Sequence, residues 1–338
     1  MSWFPLQNAR QSVAGNERGA ALISALLMVA LIATLALAVT REMRFALDRA
    51  ANLDLRDQAH WYTTGARDYA EAMIVRAVAH PDTAFRPDAG WLDEPQVFPI
   101  DGGRLAGRIR DAHNCFNLNA LVEIDSDGQA IVVPRHRTQL ATLLEALGLP
   151  AAQAVGIAAQ AADWIDSDQR AQASGAEDGD YRRSGRPYRT ADTLIAETAE
   201  LRGLLAMTPE IFDHIAPYLC AVPEARPLAL NINTLRLDQA ELLMAAFGGA
   251  LERRQAEALL LQRPLGGFPS EEAFWAVESI QALGLTEDER PRVGLVSRYF
   301  EIRIDVGRGD LHYGLESLVR VDPDQGLRRI SQTYGVFT

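Results

Sequence analysis

The acidic segment at positions 163–180 contains the residues whose types and spacing best suit chemistry. Within these eighteen positions lie six carboxylates, Asp163, Asp166, Asp168, Glu177, Asp178 and Asp180. Carboxylates this close repel one another unless a cation lies among them. Neither histidine nor cysteine occurs nearby, and oxygen ligands on a flexible, glycine-bearing loop suit calcium better than zinc or magnesium. The segment therefore predicts a calcium site, with a solvated acidic loop as the alternative.

The spacing of these carboxylates does not form an EF-hand. Asp166 and Asp168 match the first two ligands of that loop, but its glycine and its twelfth-position glutamate are missing from the required places. In the alternative interpretation, the acidic residues pair with a run of arginines that follows them. These arginines are Arg182, Arg183, Arg186 and Arg189. The residues alone do not decide between the two.

Other reactive residue types are few and scattered. Cys115 and Cys220 match no CxxC spacing of a zinc or redox site, so they form either one disulfide or two free thiols. The six histidines are dispersed, and the sequence contains no HExxH, GxSxG or GxxxxGK[ST] motif. No enzyme is expected. The nearest catalytic alternative is a metallohydrolase that uses the acidic segment, which offers no obvious base or oxyanion donor.

Length and charge limit the classes of protein that fit. The chain of 338 residues has 33 Lys+Arg against 45 Asp+Glu, a formal net charge of −12. Such a chain lacks the electrostatic attraction on which non-specific nucleic-acid binding depends. Its 48% hydrophobic content is that of a globular protein with one large or two ordinary domains.

An uncharged apolar run lies between Arg18 and Arg41. As a helix, these ~22 residues are about 33 Å long, which is enough to span the hydrocarbon core of a bilayer. Residues 41–80 continue with apolar positions at helical spacing and contain no proline before Pro81. The sequence predicts one helix of about 60 residues that leaves a membrane and enters a soluble domain. A cleaved signal or a buried core helix is the alternative.

Alternating apolar and polar residues predict five strands, two before and three after a long middle region. They are Gln96–Ile100, Arg104–Asp111, Tyr299–Val306, His312–Val321 and Arg328–Tyr334. The middle, residues 113–290, is rich in alanine and leucine at helical spacing, so the flanking strands must pair across an insertion. The predicted fold class is α+β, with a long amino-terminal helix packed on a small antiparallel sheet and a large inserted all-α domain.

The middle region contains a degenerate internal repeat of helical hairpins. Asn117-Leu118-Asn119 and Asn231-Ile232-Asn233 each precede two helices joined by a short turn. The hairpins resemble the helix-hairpin-helix module of DNA-binding proteins, but neither turn has the Gly-x-Gly pattern that holds phosphate. With a charge of −12 as well, contacts with proteins are favoured over contacts with nucleic acid.

The amino-terminal residues resemble those of type IV prepilins and pseudopilins. A short polar leader ends in Glu17-Arg18-Gly19, and the apolar helix begins at Ala20. The resemblance implies that a prepilin peptidase cuts after Gly19 and methylates the amino group of Ala20. The family's usual glutamate at the fifth mature position is replaced by Ser24. That departure is similar to the K-type minor pseudopilin of type II secretion systems.

The resemblance implies a function and its partners. A K-type minor pseudopilin lies at the tip of the pseudopilus, starts its assembly and supports the export of folded periplasmic proteins across the outer membrane. Its partners are the I-type and J-type minor pseudopilins and the prepilin peptidase, with the major pseudopilin, the secretin and secreted substrates as further candidates. The runner-up is a minor pilin of a type IV pilus or DNA-uptake machine, whose hairpins would contact DNA.

The resemblance also implies the location and the domain boundaries. The chain would cross the bacterial inner membrane once, with its carboxyl-terminal domain in the periplasm. The predicted segments are a leader at 1–19, a transmembrane helix at 20–40, a helix with the first strands at 41–112, the inserted helical domain at 113–290, and the last strands at 291–338.

A structural calcium ion and a disulfide follow from the same resemblance. Residues 163–168, 175–178 and 187–189 resemble the calcium-associated segment of the K family, which favours the metal over the solvated loop. The first candidate ligands are Asp166, Asp168, Glu177 and Asp178, followed by Asp163 and Asp180. In the periplasm Cys115 and Cys220 could oxidise, and closing a loop of about 100 residues would stabilise the fold by about 4 kcal/mol.

Overall fold

The computed structural model describes residues 17–185, 188–309 and 311–335, and its first element is a single helix, α1 (Glu17–Ala79). The helix has 63 residues and no interruption, which confirms the predicted long helix. It ends before Pro81, because proline cannot donate the backbone hydrogen bond that would extend it. Residues 1–16 of the predicted leader lie outside the described residues.

The chain divides into two compact units, Met1–Trp61 and Tyr62–Thr338. In the first unit, helix α1 is long and apolar enough to cross a membrane, with a mean hydropathy of 2.8 over its most apolar eighteen residues. None of that stretch is buried. The second unit contains the end of α1 and the remaining helices and strands described below.

Nine further α-helices and eleven strands follow α1 in the residues that the structure describes. The helices are α2 (Pro81–Ala84), α3 (Pro134–Ala146), α4 (Ala151–Ile165), α5 (Asp178–Arg183), α6 (Pro209–Ile215), α7 (Ala240–Ala246), α8 (Arg253–Leu261), α9 (Glu271–Trp275) and α10 (Glu278–Gln281). The strands are β1 (Gln96–Ile100), β2 (Gly103–Asp111), β3 (Phe116–Asn117), β4 (Val122–Ile124), β5 (Ala130–Val132), β6 (Leu219–Cys220), β7 (Leu230–Asn231), β8 (Val293–Gly294), β9 (Tyr299–Arg308), β10 (Leu311–Asp322) and β11 (Gly326–Gly335).

The main sheet has five antiparallel strands in the order β1-β2-β9-β10-β11. All five predicted strands are confirmed within a few residues. Strand β2 pairs with β9 over its whole length, from Gly103 opposite Arg308 to Asp111 opposite Phe300. The chain therefore leaves the sheet after Asp111 and returns at Tyr299, and the predicted pairing across the insertion is confirmed.

The end of α1 packs on this sheet. Ile74 of α1 is fully buried, and Phe85, the residue after α2, stacks on Phe300 of β9 with ring centroids 6.1 Å apart. At the edge of this contact the Arg329 guanidinium of β11 donates to both carboxylate oxygens of Glu71, at 2.6 and 2.9 Å. The apolar contact between a helix and a sheet face is the usual source of stability in such a layer.

The insertion is mainly helical, but the expectation of an all-α domain is wrong in one respect. Three short strand pairs lie within it: β3 with β6, β4 with β5, and β7 with β8. The β3–β6 and β7–β8 pairs are parallel and join segments far apart in the sequence, such as Asn117 with Cys220. Two-residue strands contain no alternation of apolar and polar residues, so a local pattern cannot predict them.

The predicted internal repeat is visible in equivalent hydrogen bonds. The Asn119 side chain accepts the N–H of Ile195 at 2.7 Å and donates to the carbonyl of the same residue at 2.9 Å. The Asn233 side chain accepts the N–H of Phe268 at 2.7 Å and donates to its carbonyl at 3.1 Å. Each second asparagine thus fixes one residue of a remote loop through both backbone groups.

Candidate metal centre

Two helix ends position the acidic segment. Helix α4 carries Asp163 in its last turn, and Asp166 follows directly as its C-cap. Helix α5 begins after Glu177, which occupies its N-cap position. The intervening loop returns the chain, so that residues from the end of one helix and the start of another lie side by side.

Three carboxylates converge in this segment. One oxygen atom from each of Asp163, Asp166 and Glu177 lies within 4.8 Å of the others. All three residues are buried, with exposed fractions of 0%, 3% and 4%. The structure therefore brings together Asp166 and Glu177, two of the first candidate ligands, with Asp163 as the third member.

Several of these oxygen atoms lack a hydrogen-bond partner. The Asp163 carboxylate accepts the N–H of Gln172 at 3.1 Å. Oδ1 of Asp166 and both carboxylate oxygens of Glu177 are buried and accept no hydrogen bond within the described chain. A buried carboxylate without a partner is costly, because folding removes its hydration without replacing it. A bound cation would supply the missing interaction.

The electrostatics of the cluster agree with that interpretation. Burial raises the pKa of Asp163 to about 6. Burial together with the negative charge of neighbouring carboxylates raises the pKa of Asp166 to about 7 and that of Glu177 to about 8. Burial and mutual repulsion disfavour the charged forms of the three carboxylates, and a hard cation among them would offset both effects.

The loop approaches the cluster closely at a glycine. A Cβ atom at Gly175 would lie 1.9 Å from Oδ2 of Asp163 and 3.0 Å from the backbone nitrogen of Gln172. Any side chain at this position would displace the Asp163 carboxylate. Gly175 therefore permits the loop to fold against the acidic cluster.

The other candidate ligands bind the loop itself. Asp168 is exposed and accepts the N–H of Arg170 at 2.7 Å. Asp178 accepts the N–H of Thr190 at 3.1 Å. Asp180 accepts the N–H of Glu177 at 3.0 Å. These three residues lie outside the three-carboxylate group and stabilise the turns around it.

The arginines after the segment do not neutralise the cluster. Arg183 pairs with Asp180 at 2.5 Å, and Arg189 lies 3.6 Å from Asp178. Within the described ranges no arginine forms an ion pair with Asp163, Asp166 or Glu177. Arg186 and Pro187 of the predicted motif lie outside the described residues.

One nearby carboxylate was not among the sequence-derived candidates. The charge of Asp192 helps to raise the pKa of both Asp166 and Glu177, which places it near the cluster. Its backbone N–H donates to the carbonyl of Trp164 at 3.1 Å. This contact joins segments that are separated by the whole loop. The order of acidic residues in positions 163–180 therefore could not predict that Asp192 lies near the cluster.

The two cysteines are joined. Cys115 and Cys220 form a disulfide with their Cα atoms 5.8 Å apart. The bond lies beside the β3–β6 pair, where Asn117 is opposite Cys220. It encloses the first asparagine motif and the entire acidic segment in one covalent loop.

The two residues of the predicted processing site lie at the start of α1. Gly19 and Ala20 are both helical and exposed. Apart from its chain neighbours and the backbone of its own helix, no atom of the described residues lies within 4 Å of a Cβ built at Gly19.

Comparisons with known proteins give the family. Two family models described as "Type II secretion system (T2SS), protein K" match residues 114–224 and residues 230–295. A type II secretion system protein K of Pectobacterium carotovorum subsp. carotovorum is 33% identical over 95% of this chain and 97% of its own length. The protein K of Klebsiella pneumoniae is 32% identical over 95% of both chains.

A solved structure is similar over most of the fold. A chain of the GspK-GspI-GspJ complex from enterotoxigenic Escherichia coli aligns with a TM-score of 0.72 and 27% identity, covering 86% of this chain and 100% of that one. The fold of most of this chain is thus shared with a chain of that complex. Sequence and fold together show that this chain belongs to the type II secretion system protein K family, as the resemblance of its leader, apolar helix, insertion and acidic segment predicted.

Proposed function

We propose that the protein is a minor pseudopilin at the tip of the type II secretion pseudopilus. There it starts pseudopilus assembly and supports the export of folded periplasmic proteins across the outer membrane, without catalysis of its own. The observation that carries this proposal is the family match over 95% of the chain, combined with an apolar helix that continues into the folded unit. The match to protein K favours secretion over the pilus or DNA-uptake alternative.

The proposed partners are the I-type and J-type minor pseudopilins. Support comes from the similar GspK-GspI-GspJ complex and from the exposed apolar side chains of α1 beyond the membrane-length run. Trp61, for example, is 72% exposed. Large apolar groups on an isolated helix are stabilised when a second helix covers them.

The proposed location is the inner membrane, with the second unit in the periplasm. The prepilin peptidase would remove residues 1–19 and methylate Ala20. Ser24 replaces the carboxylate that pairs with the amino terminus of a preceding subunit in the related pilins, so this chain suits a position with no subunit before it. The disulfide between Cys115 and Cys220 is compatible with an oxidising compartment.

The proposed cofactor is one structural calcium ion held by Asp163, Asp166 and Glu177. The donor set consists of oxygen atoms alone, which calcium prefers. When bound, the ion supplies positive charge that offsets the repulsion among the three carboxylates. The protein side chains then fix the end of α4 against the start of α5.

Two measurements test the proposed function. First, the full chain is expressed with a prepilin peptidase and its amino terminus is determined by mass spectrometry; a methylated Ala20 is expected. Second, the chain replaces protein K in a secreting bacterium, and export of a secreted enzyme is expected to be restored. An unprocessed Met1 together with no restored export contradicts the proposal.

The partner interface is tested with a matched pair of variants. Trp61→Glu is expected to abolish the complex with the I-type and J-type proteins from the same source, measured by light scattering in detergent. Leu265→Glu is the control, because Leu265 is 84% exposed and lies on the loop after α8. Equal loss of the complex in both variants, or in neither, contradicts a helix-mediated interface.

A further inference from the structure

A cleft lies within the insertion, away from the acidic cluster. Its volume is about 410 Å³, and it is bordered by the start of α3, by α7 and by the loops 225–228 and 288–292. The cleft thus lies between the two segments that the family models match separately. None of the three converging carboxylates lines it.

The floor of the cleft is apolar. Leu230 and Leu242 are buried core residues that line it, and Phe116 and Val133 are half-buried beside them. An apolar floor of this kind suits one aliphatic side chain of a ligand, because burying that side chain removes it from water.

Three arginines at the rim have no carboxylate within ion-pair distance in the described part of the chain. They are Arg135, Arg290 and Arg292, and all three line the cleft and are exposed. Arg226, which also lines it, is by contrast neutralised by Glu224 at 2.6 Å. Two exposed carboxylates, Glu123 and Asp288, share the lining, so the arginines remain in excess in a chain of net charge −12.

Two of these arginines are held in place by neutral groups. Arg135 donates to the carbonyl oxygens of Asp288 and Glu289 at 3.0 and 3.1 Å. The guanidinium of Arg290 lies 5.0 Å from the ring centroid of Trp275. Carbonyls and aromatic rings orient a guanidinium without cancelling its charge. The guanidinium groups of Arg135 and Arg290 are therefore oriented and still able to bind an anion.

The start of α3 contributes further polar groups to the cleft. The amino-terminal end of this helix, which is the positive end of its dipole, has no side-chain cap at Val133. Nδ1 of His136 lies 2.6 Å from the carbonyl of Ala120 and must donate to it, because a carbonyl only accepts. Burial lowers the pKa of His136, so the ring stays neutral near pH 7 and its Nε2 can accept an N–H.

We propose that this cleft binds a short peptide segment of another protein in which an aliphatic side chain stands next to a carboxylate. The floor takes the aliphatic side chain, Arg290 and Arg292 bind the carboxylate, and Nε2 of His136 accepts a peptide N–H. The volume falls within the range of small-ligand sites, so the cleft accommodates a few residues and not a folded surface. The inference goes beyond pseudopilus assembly and does not depend on it.

The test uses the full chain in detergent micelles and an immobilised array of pentapeptides that samples all residue types at each position. Retained sequences are expected to combine Asp or Glu with Leu, Ile or Val. Binding of a retained peptide is expected to weaken at least tenfold in Arg292→Gln and to weaken at high salt. Arg254→Gln is the control, because Arg254 is exposed on α8 outside the cleft.

A second variant distinguishes loss of peptide binding from loss of the folded structure. Arg290→Gln is expected to reduce binding while the melting temperature stays within about 2 °C of the parent, which is the effect of a small surface change. Retention of basic or unrelated sequences overturns the proposal, as does equal binding by Arg292→Gln and Arg254→Gln. Displacement by inorganic phosphate with no selective peptide retention shows an adventitious anion only and overturns it as well.

Discussion

The two halves of the insertion, residues 114–224 and 230–295, share one plan but differ in how they stabilise a loop. Each half begins with an asparagine motif, continues into a helical hairpin and closes with a parallel strand pair. In the first half, residues 166–194 connect α4 to the residue held by Asn119. In the second half, residues 262–267 connect α8 to the residue held by Asn233.

The charged groups that lie at the two loops are opposite in sign. The first half buries the carboxylates of Asp163, Asp166 and Glu177. The second half places the guanidinium of Arg263 against the carbonyls of Ile232 and Leu235, at 2.7 and 2.8 Å. A short loop is thus fixed by a cation that the chain itself supplies. We expect the longer loop of the first half to require a cation from solution.

The largest expected effect on stability comes from removal of the disulfide in the first half. In the double variant Cys115→Ser, Cys220→Ser, the free energy of unfolding is expected to fall by about 4 kcal/mol, because the unfolded chain gains freedom over a long loop. Chemical denaturation of the full chain in detergent measures it. Hydrogen exchange should increase more in residues 114–224 than in residues 230–295, and an equal increase would contradict the comparison.

Removal of calcium is expected to have the next largest effect. At a calcium concentration a hundred times the dissociation constant, binding stabilises the folded state by about 2.7 kcal/mol, and a chelator removes that contribution. The measurement is the melting temperature with and without chelator.

The Glu177→Gln variant is expected to lose this response to calcium. Arg263→Met, in the other half, should keep the response even though it lowers stability by itself. A chelator effect of the same size in Glu177→Gln and in the parent would show that the ion binds elsewhere.

The side chains of Asn119 and Asn233 are expected to make contributions of similar size to stability. Asn119→Ala and Asn233→Ala each leave one N–H and one carbonyl of a remote loop without the side-chain partner, at a cost of about 2 kcal/mol. Asn119→Ala also removes the donor to the carbonyl of Val222. Denaturant titration of the two variants provides the comparison. Costs that differ by more than twofold would indicate that the halves are not structurally equivalent.

The smallest expected effect concerns the glycine beside the acidic cluster. Gly175→Ala is expected to lower the free energy of unfolding by about 1 kcal/mol and to weaken calcium binding, because the new methyl group displaces the Asp163 carboxylate. Calorimetry measures both quantities. Gly266→Ala is the matched control in the second half, since a Cβ there meets no atom within 4 Å.

Local patterns predicted the elements of this fold well. The continuous helix before Pro81, the five strands of the sheet and the repeated asparagine motifs each depend on residues close in sequence. The short parallel pairs were not predicted, because the partner of Asn117 is the distant Cys220. Long-range pairing of two-residue strands has no periodicity to detect.

The candidate site was predicted only at the level of the segment. The excess of carboxylates in positions 163–180 was compatible with a cation, and the family resemblance favoured one, yet Asp168 and Asp178 were ranked ahead of Asp163. In the structure Asp168 and Asp178 accept backbone N–H groups, whereas Asp163 turns inward from the last turn of α4. Which carboxylate enters the cluster depends on where the helix ends and how the loop returns.

The sequence by itself determined the membrane-length helix and the α+β class, because hydrophobic periodicity is a local property. It also carried the protein K resemblance, through the leader, the helical insertion and the acidic segment. The tertiary structure alone decided which carboxylates converge, that Asp192 lies near them, and that arginines from separate loops border one cleft. Those features arise from contacts between residues far apart in the chain, and burial then changes the charge state and interactions of each group.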